Sequence, residues 1–167
     1  QEVGRVRRLA GIRQCLEEHG LPEDHLEILS TSRREFAKYP GDRAEYQNGY
    51  DRTIEALQNG TVSTACIGNN DMTAVGIMDA IAELGYKIPY DYSVCGFDNI
   101  PLASMKQISL TTIEHATVQK GHEAVDLIHK KNSQDHSGRQ PSYTVRLEYE
   151  PQLIVRNSTG KCHQNLR

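Results

Sequence analysis

The sequence contains no tryptophan, only two phenylalanines and no apolar run of membrane-spanning length. A transmembrane helix needs about 20 consecutive apolar residues, so no membrane span is predicted. The formal net charge is −3, which excludes attraction to a nucleic-acid backbone by overall charge. The first residues carry no signal-peptide pattern. The chain does not begin with Met and opens almost directly into a helical pattern, which predicts a fragment or a processed product.

Cysteine pairs at metal-binding spacing are also missing. The first three of the four cysteines fall at apolar positions of predicted elements, where a thiol behaves as a small hydrophobic side chain. This usage predicts free thiols and a cytoplasmic location, with neither a metal site nor a disulfide framework. The cysteines are Cys15, Cys66, Cys95 and Cys162.

A glycine-rich turn that could hold a phosphate group is absent as well. Gly76 stands alone inside a predicted helix, and Gly96 stands alone before Phe97. Nucleotide-binding loops need several glycines at fixed spacing so that backbone N–H groups can surround the phosphates. The sequence therefore predicts no cofactor.

What the sequence does contain is an alternation of helical and extended patterns. Leu9, Ile12 and Leu16 recur at helical spacing, and Gly20 and Pro22 end that helix. Helices that alternate with short strands indicate βαβ units, so the predicted fold class is α/β with a largely parallel sheet. Further helices are predicted at 45–58, 72–84 and 117–130, and strands at 26–29, 64–67, 93–97, 110–113, 143–149 and 153–155.

Polar clusters follow three of these strands. In a parallel sheet their carboxyl ends lie side by side, and open α/β sheets bind ligands at that edge. The clusters are Asn69-Asn70-Asp71, Asp98-Asn99 and Glu114-His115. A simpler alternative for the first cluster is that Asn70 or Asp71 only caps the following helix. The three clusters together predict a binding site, with Asp98 as its first candidate residue.

The side chains at this edge are suited to a polyhydroxylated ligand such as a sugar. A carboxylate accepts hydrogen bonds from two hydroxyls, a carboxamide both donates and accepts, and a guanidinium donates through a fork. Asp98, His115 and Ser104 could also be arranged as a hydrolytic site, but Ser104 follows no strand and occupies no nucleophile elbow. The sequence therefore does not indicate an enzyme.

Five ordered motifs resemble the effector-binding region of LacI-family (lactose-repressor-like) transcriptional regulators. The likeness runs from about Arg5 to Thr159, and the ending Pro151–Arg156 also matches the family. This resemblance implies the carboxyl-terminal portion of a periplasmic-binding-protein-like type I fold. The motifs are Arg8–Gly11, Asn70–Gly76, Ile88-Pro89, Ser93–Ile100 and Leu110–Ile113.

The resemblance also implies roles for individual residues. The Arg before Leu-Ala-Gly and the Asn that opens the third helix contact ligand hydroxyls in the family, which points to Arg8 and Asn70. The Asp after Gly-Phe is the main acceptor of sugar hydroxyls, here Asp98. His115 stands where the family often has Gln near the cleft. Tyr46 is a candidate for the stacking aromatic of the family, with ordinary helix surface as the alternative.

The resemblance implies a two-lobed protein of which this chain holds mainly one lobe. Residues 1–114 and 151–156 are expected to form the carboxyl-terminal lobe and residues 157–167 a disordered tail. Residues 116–149 are expected to belong to a largely absent amino-terminal lobe, which leaves Val118, Val125 and Ile128 exposed.

The expected function is effector binding and dimerisation in a regulator of transcription. The implied partners are a carbohydrate-like effector, a second copy of the chain, and operator DNA through an amino-terminal helix-turn-helix that this chain lacks. The alternative is a sugar-binding protein of a transporter or chemoreceptor, which shares the two-lobed fold. Free cysteines at apolar positions favour the regulator, because they indicate a reducing compartment.

Overall fold

The computed structural model describes residues 2–134 and 144–162 as an α/β fold, which confirms the predicted class. Two short 3-10 helices, Glu23–His25 and Pro101–Ser104, lie between the main elements. The helices are α1 (Glu2–Glu18), α2 (Arg33–Phe36), α3 (Asp42–Gln58), α4 (Asp71–Glu83) and α5 (Thr117–Gln134), and the strands are β1 (Ala65–Ile67), β2 (Ser93–Cys95), β3 (Thr112–Glu114) and β4 (Gln152–Ile154).

The strands place three carboxyl ends at one edge. Strands β1 and β2 are parallel neighbours, and strands β3 and β4 are antiparallel neighbours. Beside β3, Cys95 forms a parallel bridge to Thr111, and the Asp98 N–H donates to the Ile113 carbonyl at 2.9 Å. The central position of β2 therefore brings the segments that follow β1, β2 and β3 together.

The hydrophobic core lies between α4 and these strands. Ile81 of α4, Val94 of β2 and Leu110 before β3 are fully buried. Ala74 and Ala80 are also fully buried, and their small side chains let α4 approach the sheet. Burial of these apolar side chains between α4 and the strands is the main contribution to the stability of this core.

Helices α3 and α4 pack closely because each has a glycine where the other approaches. A Cβ atom on Gly49 would lie 2.2 Å from the Thr73 carbonyl oxygen. A Cβ atom on Gly76 would lie 2.0 Å from the Tyr46 carbonyl oxygen. Real Cβ atoms never come so near to a backbone oxygen, so this packing requires glycine at both positions.

Two tyrosines on α3 bind carboxylates on α4. The hydroxyl of Tyr46 donates to Asp79 at 2.7 Å, and the hydroxyl of Tyr50 donates to Glu83 at 2.6 Å. The hydrogen bond to Asp79 raises the pKa of Tyr46 to about 12, because it holds the phenol proton. The two tyrosines are four residues apart, and so are the two carboxylates. Both hydrogen bonds therefore hold α3 and α4 in the same position relative to each other along their axes.

Two of the predicted strands do not form in the part of the chain that the structure describes. Residues 26–29 contain no strand, and Ile28 and Leu29 remain about half exposed. Residues 144–149 contain none either, while Tyr143 lies outside the described residues. A strand needs ladder hydrogen bonds from a neighbour, and alternation in the sequence cannot supply that neighbour.

The expectation of a disordered tail from Asn157 is wrong for its first residues. Ser158 is only 1% exposed. Its hydroxyl donates to the Val94 carbonyl at 2.6 Å and accepts from the Thr111 N–H at 2.7 Å. This polar segment is ordered because it satisfies buried backbone groups of the sheet, and residues 163–167 lie outside the described part.

Helix α5 presents apolar side chains to solvent. Val118, Val125 and Ile128 are 76%, 64% and 60% exposed. Their exposure agrees with the expectation that residues 116–149 pack against another lobe, which stays a prediction. None of the helices in the described residues has the length and apolar character needed to cross a membrane.

Candidate functional site

A buried carboxylate joins the segments that follow β1 and β2 to the first residue of β3. Asp71 opens α4 and is fully buried. Its carboxylate accepts hydrogen bonds from the Ile100 N–H at 2.8 Å and from the Thr112 hydroxyl, and its own N–H donates to the Phe97 carbonyl. A Cβ atom on Gly96 would lie 2.2 Å from Asp71 Oδ1, so glycine leaves the space for this carboxylate.

Asn70, rather than Asp71, caps α4. Its Oδ1 accepts from the Thr73 N–H at 2.9 Å, which confirms the capping alternative for this residue. Its Nδ2 donates to the carboxylate of Glu45 on α3. The amide thus stands at the strand-end edge with both ends engaged, and its role toward a ligand stays a prediction.

Arg8, Asp98 and His115 gather around the ring of Phe97. The Arg8 guanidinium carbon lies 3.5 Å from the centre of the Phe97 ring, and Nη1 donates to the Asn69 carbonyl at 2.5 Å. The His115 ring stacks on Phe97 at 5.3 Å between centres. His115 Nε2 lies 3.1 Å from Asp98 Oδ1. Three predicted site residues from distant parts of the sequence therefore form one cluster.

Lys120 of α5 determines which nitrogen of His115 carries the proton. Lys120 Nζ lies 3.1 Å from His115 Nδ1. An ammonium group can only donate, so Nδ1 accepts, and the ring proton is on Nε2, where it donates to Asp98. Asp98, His115 and Lys120 therefore form a chain of hydrogen bonds from the end of β2 to α5.

The backbone turns sharply where the site begins. Asp98 has φ of 117° and Asn99 has φ of 53°, conformations that residues other than glycine rarely adopt. Such strain persists only where surrounding contacts over-determine it, and it concentrates at binding sites. Here the turn leaves the Asp98 side chain 34% exposed, so its carboxylate is accessible to a ligand.

The structure does not bring the other two candidates into this cluster. Tyr46 contacts Asp79 and Tyr50 in the α3–α4 packing. The hydroxyl of Ser104 donates to the Pro101 carbonyl at 2.8 Å and, within the described ranges, makes no hydrogen bond to His115. These contacts support the ordinary-helix alternative for Tyr46 and offer no activation of Ser104 as a nucleophile.

Three residues of the site were missed by reasoning from the sequence. Phe97 could have been found, because an aromatic ring at a strand end beside Asp98 is a natural surface for a ligand. Lys120 lies one helical turn after the start of α5, but its contact with His115 depends on the β3–α5 connection. Glu45 has no local signal, since only α3–α4 packing brings it to Asn70.

A second network supports the loop after β2. Asn99 Nδ2 donates to Glu114 at 2.8 Å, and Arg156 Nη2 donates to Asn99 Oδ1 at 2.7 Å. Arg156 also donates to the Leu110 carbonyl at 2.7 Å. The hydrogen bond from Asn99 lowers the pKa of Glu114 below its usual 4.5.

Glu114 is expected to make stability depend on acidity. Because its folded-state pKa is lowered, its contribution is present above pH 4.5 and is lost as the pH falls through that lower pKa. Replacing Asn99 by glycine removes the amide and relieves the positive φ. In a carbon-detected NMR titration, the Glu114 midpoint should then rise toward 4.5. An unchanged midpoint would contradict the assigned cause, and exposed Glu17 is the internal reference.

Two of the cysteines, Cys66 in β1 and Cys95 in β2, belong to the sheet. Burial raises the pKa of Cys66 to about 11 and also raises the pKa of Cys95, so both thiols stay protonated near neutral pH. Across residues 2–134 and 144–162, no group of three or more His, Cys, Asp or Glu residues is placed to hold a metal ion.

Parallel strands that end in a polar cluster at one edge are the arrangement with which open α/β domains bind ligands. The family model described as a periplasmic binding protein-like domain matches residues 1–159. The chain belongs to this family of periplasmic binding protein-like domains, and the proteins it matches include LacI-family transcriptional regulators.

Individual relatives agree with this assignment. The HTH-type transcriptional repressor PurR of Glaesserella parasuis is 34% identical over 121 residues, which is 71% of this chain and 35% of that protein. The HTH-type transcriptional regulator DegA of Bacillus subtilis is 30% identical over 158 residues, 95% of this chain and 42% of that protein. The chain thus spans less than half the length of these curated relatives.

Solved structures share the fold. A LacI family transcriptional regulator from Enterococcus faecium, solved with bound ribose, has a TM-score of 0.74 at 27% identity, over 93% of this chain and 51% of that chain. A LacI-family regulatory protein from Corynebacterium glutamicum has a TM-score of 0.58 at 33% identity, over 68% of this chain and 42% of that chain. These relatives are regulators of transcription, which disfavours the transporter or chemoreceptor alternative.

Proposed function

We propose that this chain binds a polyhydroxylated, carbohydrate-like effector at the cluster of Arg8, Phe97, Asp98 and His115. The observation that carries the proposal is that the Arg8 guanidinium and the His115 imidazole both lie against the Phe97 ring, with the Asp98 carboxylate 3.1 Å from His115. The Enterococcus faecium relative with bound ribose supports a sugar as the class of ligand.

Each group has a distinct part in the proposed binding. The carboxylate of Asp98 accepts from ligand hydroxyls, while Arg8 and the amide of Asn70 donate to ring or hydroxyl oxygens. The ring of Phe97 helps to position Arg8 and His115, because both groups pack against it. Tyr46 remains the weakest candidate, because its hydroxyl is already bound to Asp79.

The proposal extends to a larger two-lobed regulator. Residues 1–114 and 151–156 would form one wall of the cleft, and residues 116–149 would pack with the second lobe. Effector binding would close the lobes and change the spacing of paired DNA-binding heads in a cytoplasmic homodimer, an allosteric rigid-body movement. Operator DNA would be bound through a part of the regulator outside this chain, and catalysis is not part of the proposed function.

Replacing Asp98 by alanine tests the site. Loss of charge-assisted hydrogen bonds should weaken sugar binding by about tenfold to a hundredfold. In the complete regulator, operator binding measured by gel shift should persist while the response to the sugar is lost. Asp24→Ala removes an exposed carboxylate outside the cluster and should leave both unchanged. A normal response of the Asp98 variant at ordinary sugar concentration would refute the assignment.

A further inference from the structure

Lys120 is a half-buried cation at the edge of the cluster, and no carboxylate in the described residues forms an ion pair with it. Its Nζ donates to His115 Nδ1 at 3.1 Å and lies 5.3 Å from the centre of the Tyr149 ring. No salt bridge to Lys120 or Arg8 occurs among the residues that the structure describes. A partly desolvated ammonium group is costly unless a negative charge compensates it.

The nearby protein carboxylates are engaged with other donors. Asp98 accepts from His115, and Glu45 accepts from Asn70. Glu114 accepts from Asn99 Nδ2 at 2.8 Å and from the Ala116 N–H at 3.0 Å. None of these three carboxylates, nor Glu123, which accepts from Tyr149 one turn further along α5, forms an ion pair with Lys120 among the described residues.

An ammonium group has three donors, and the imidazole of His115 uses one of them. Two N–H groups of Lys120 are thus available to a ligand that already contacts Asp98 and His115. An oxyanion accepts such donors more strongly than a hydroxyl does, because both partners are charged. The chain Asp98–His115–Lys120 therefore offers a hydroxyl acceptor and an anion partner within a single site.

We propose that the effector is an anionic sugar derivative, with a carboxylate or phosphate group that binds Lys120 while its hydroxyls bind Asp98. This inference rests on the proposed sugar-binding function and narrows it. Arg8, whose guanidinium lies over Phe97, adds positive potential beside the same cluster. Lys120 would then be the residue that selects charged over neutral sugars.

The test is isothermal titration calorimetry with matched probes. Glucose is compared with glucuronate and glucose 6-phosphate, and ribose with ribose 5-phosphate, on the full chain and on the complete regulator. Comparing glucuronate with the two sugar phosphates shows whether Lys120 prefers a carboxylate or a phosphate group. At least one anionic probe should bind about tenfold or more tightly than its neutral parent, and the preference should fall as salt is added.

Three variants separate the charge of Lys120 from its contact with His115. Lys120→Gln keeps an N–H donor for His115 but removes the charge, so the ratio of anionic to neutral affinity should fall about tenfold. Lys120→Arg keeps the charge and should retain the preference. Lys130→Gln makes the same charge change on exposed α5 surface, about 15 Å further along the helix, and should have no effect.

The outcomes distinguish this inference from the function on which it rests. Neutral sugars that bind as tightly as their anionic derivatives, or a preference that Lys120→Gln leaves intact, would overturn the role of Lys120 and leave sugar binding in place. Absence of binding by every probe would overturn both proposals.

Discussion

Replacing Asp71 by alanine is expected to lower the free energy of unfolding by about 2–5 kcal/mol, because two buried donors lose their acceptor. The donors are the Ile100 N–H and the Thr112 hydroxyl, and the carboxylate that accepts from them is fully buried. Urea denaturation followed by circular dichroism measures the change. The loops after β2 and β3 should loosen together, so sugar binding should weaken as well.

A graded pair of variants checks this account. Asp71→Asn keeps one acceptor oxygen, and the Thr112 hydroxyl can reverse its direction to accept from the new amide, so its cost should be smaller than that of alanine. Asp126→Ala removes an exposed carboxylate from α5 and should change stability by no more than about 0.5 kcal/mol. Equal effects of Asp71→Ala and Asp126→Ala would rule out the organising role.

Replacing Gly76 by alanine should destabilise the chain by about 3 kcal/mol or more, because the added methyl group overpacks a helix crossing. The new Cβ atom would lie 2.0 Å from the carbonyl oxygen of Tyr46, a backbone atom that cannot move aside alone. We expect α3 to shift away from α4 and the hydrogen bond between Tyr46 and Asp79 to break. Thermal unfolding measures the loss of stability. The broken hydrogen bond should appear as a fall in the pKa of Tyr46 from about 12.

The same substitution elsewhere gives the opposite sign. Gly121 lies on α5, and no neighbouring atom comes within 4 Å of the position that a methyl group would take there. Gly121→Ala should therefore stabilise the helix by about 0.5–1 kcal/mol. The two variants share the intrinsic preference of alanine for helices and differ only in available space. A Gly76→Ala protein as stable as the parent chain would show that α3 and α4 do not cross as closely as described.

The cluster around Phe97 connects two parts of the fold. Arg8, Asn70 and Asp98 belong to α1, the start of α4 and the loop after β2, while His115 and Lys120 lie on either side of the junction between β3 and α5. A ligand bound to both groups would therefore influence the direction in which α5 leaves the sheet.

Reasoning from the sequence placed several residues of the candidate site at one edge of the sheet, because these polar residues follow strand ends. Asp98 and His115 were expected at one edge, and the structure places them 3.1 Å apart. Periodicity also located α3, α4 and α5 to within a few residues. The same reasoning failed for residues 26–29 and 144–149, where the pattern of a strand is present but no neighbouring strand pairs with it.

The prediction of a disordered tail failed for a related reason. Residues after Asn157 are polar, and composition cannot show that the hydroxyl of Ser158 binds both Val94 and Thr111 inside the sheet. Asp71 is a similar case. A cap and an organising carboxylate have the same sequence signature, and only the positions of Ile100 and Thr112 distinguish them.

The sequence by itself determined the α/β class and the candidate residues at the strand ends, because apolar periodicity and turn residues act over short distances along the chain. Five ordered motifs carried the resemblance to the family. The tertiary structure decided which of these residues meet. Helix packing placed Tyr46 on Asp79, and the β3–α5 junction placed Lys120 on His115. These contacts join residues through the geometry of whole elements, and no local pattern encodes that geometry.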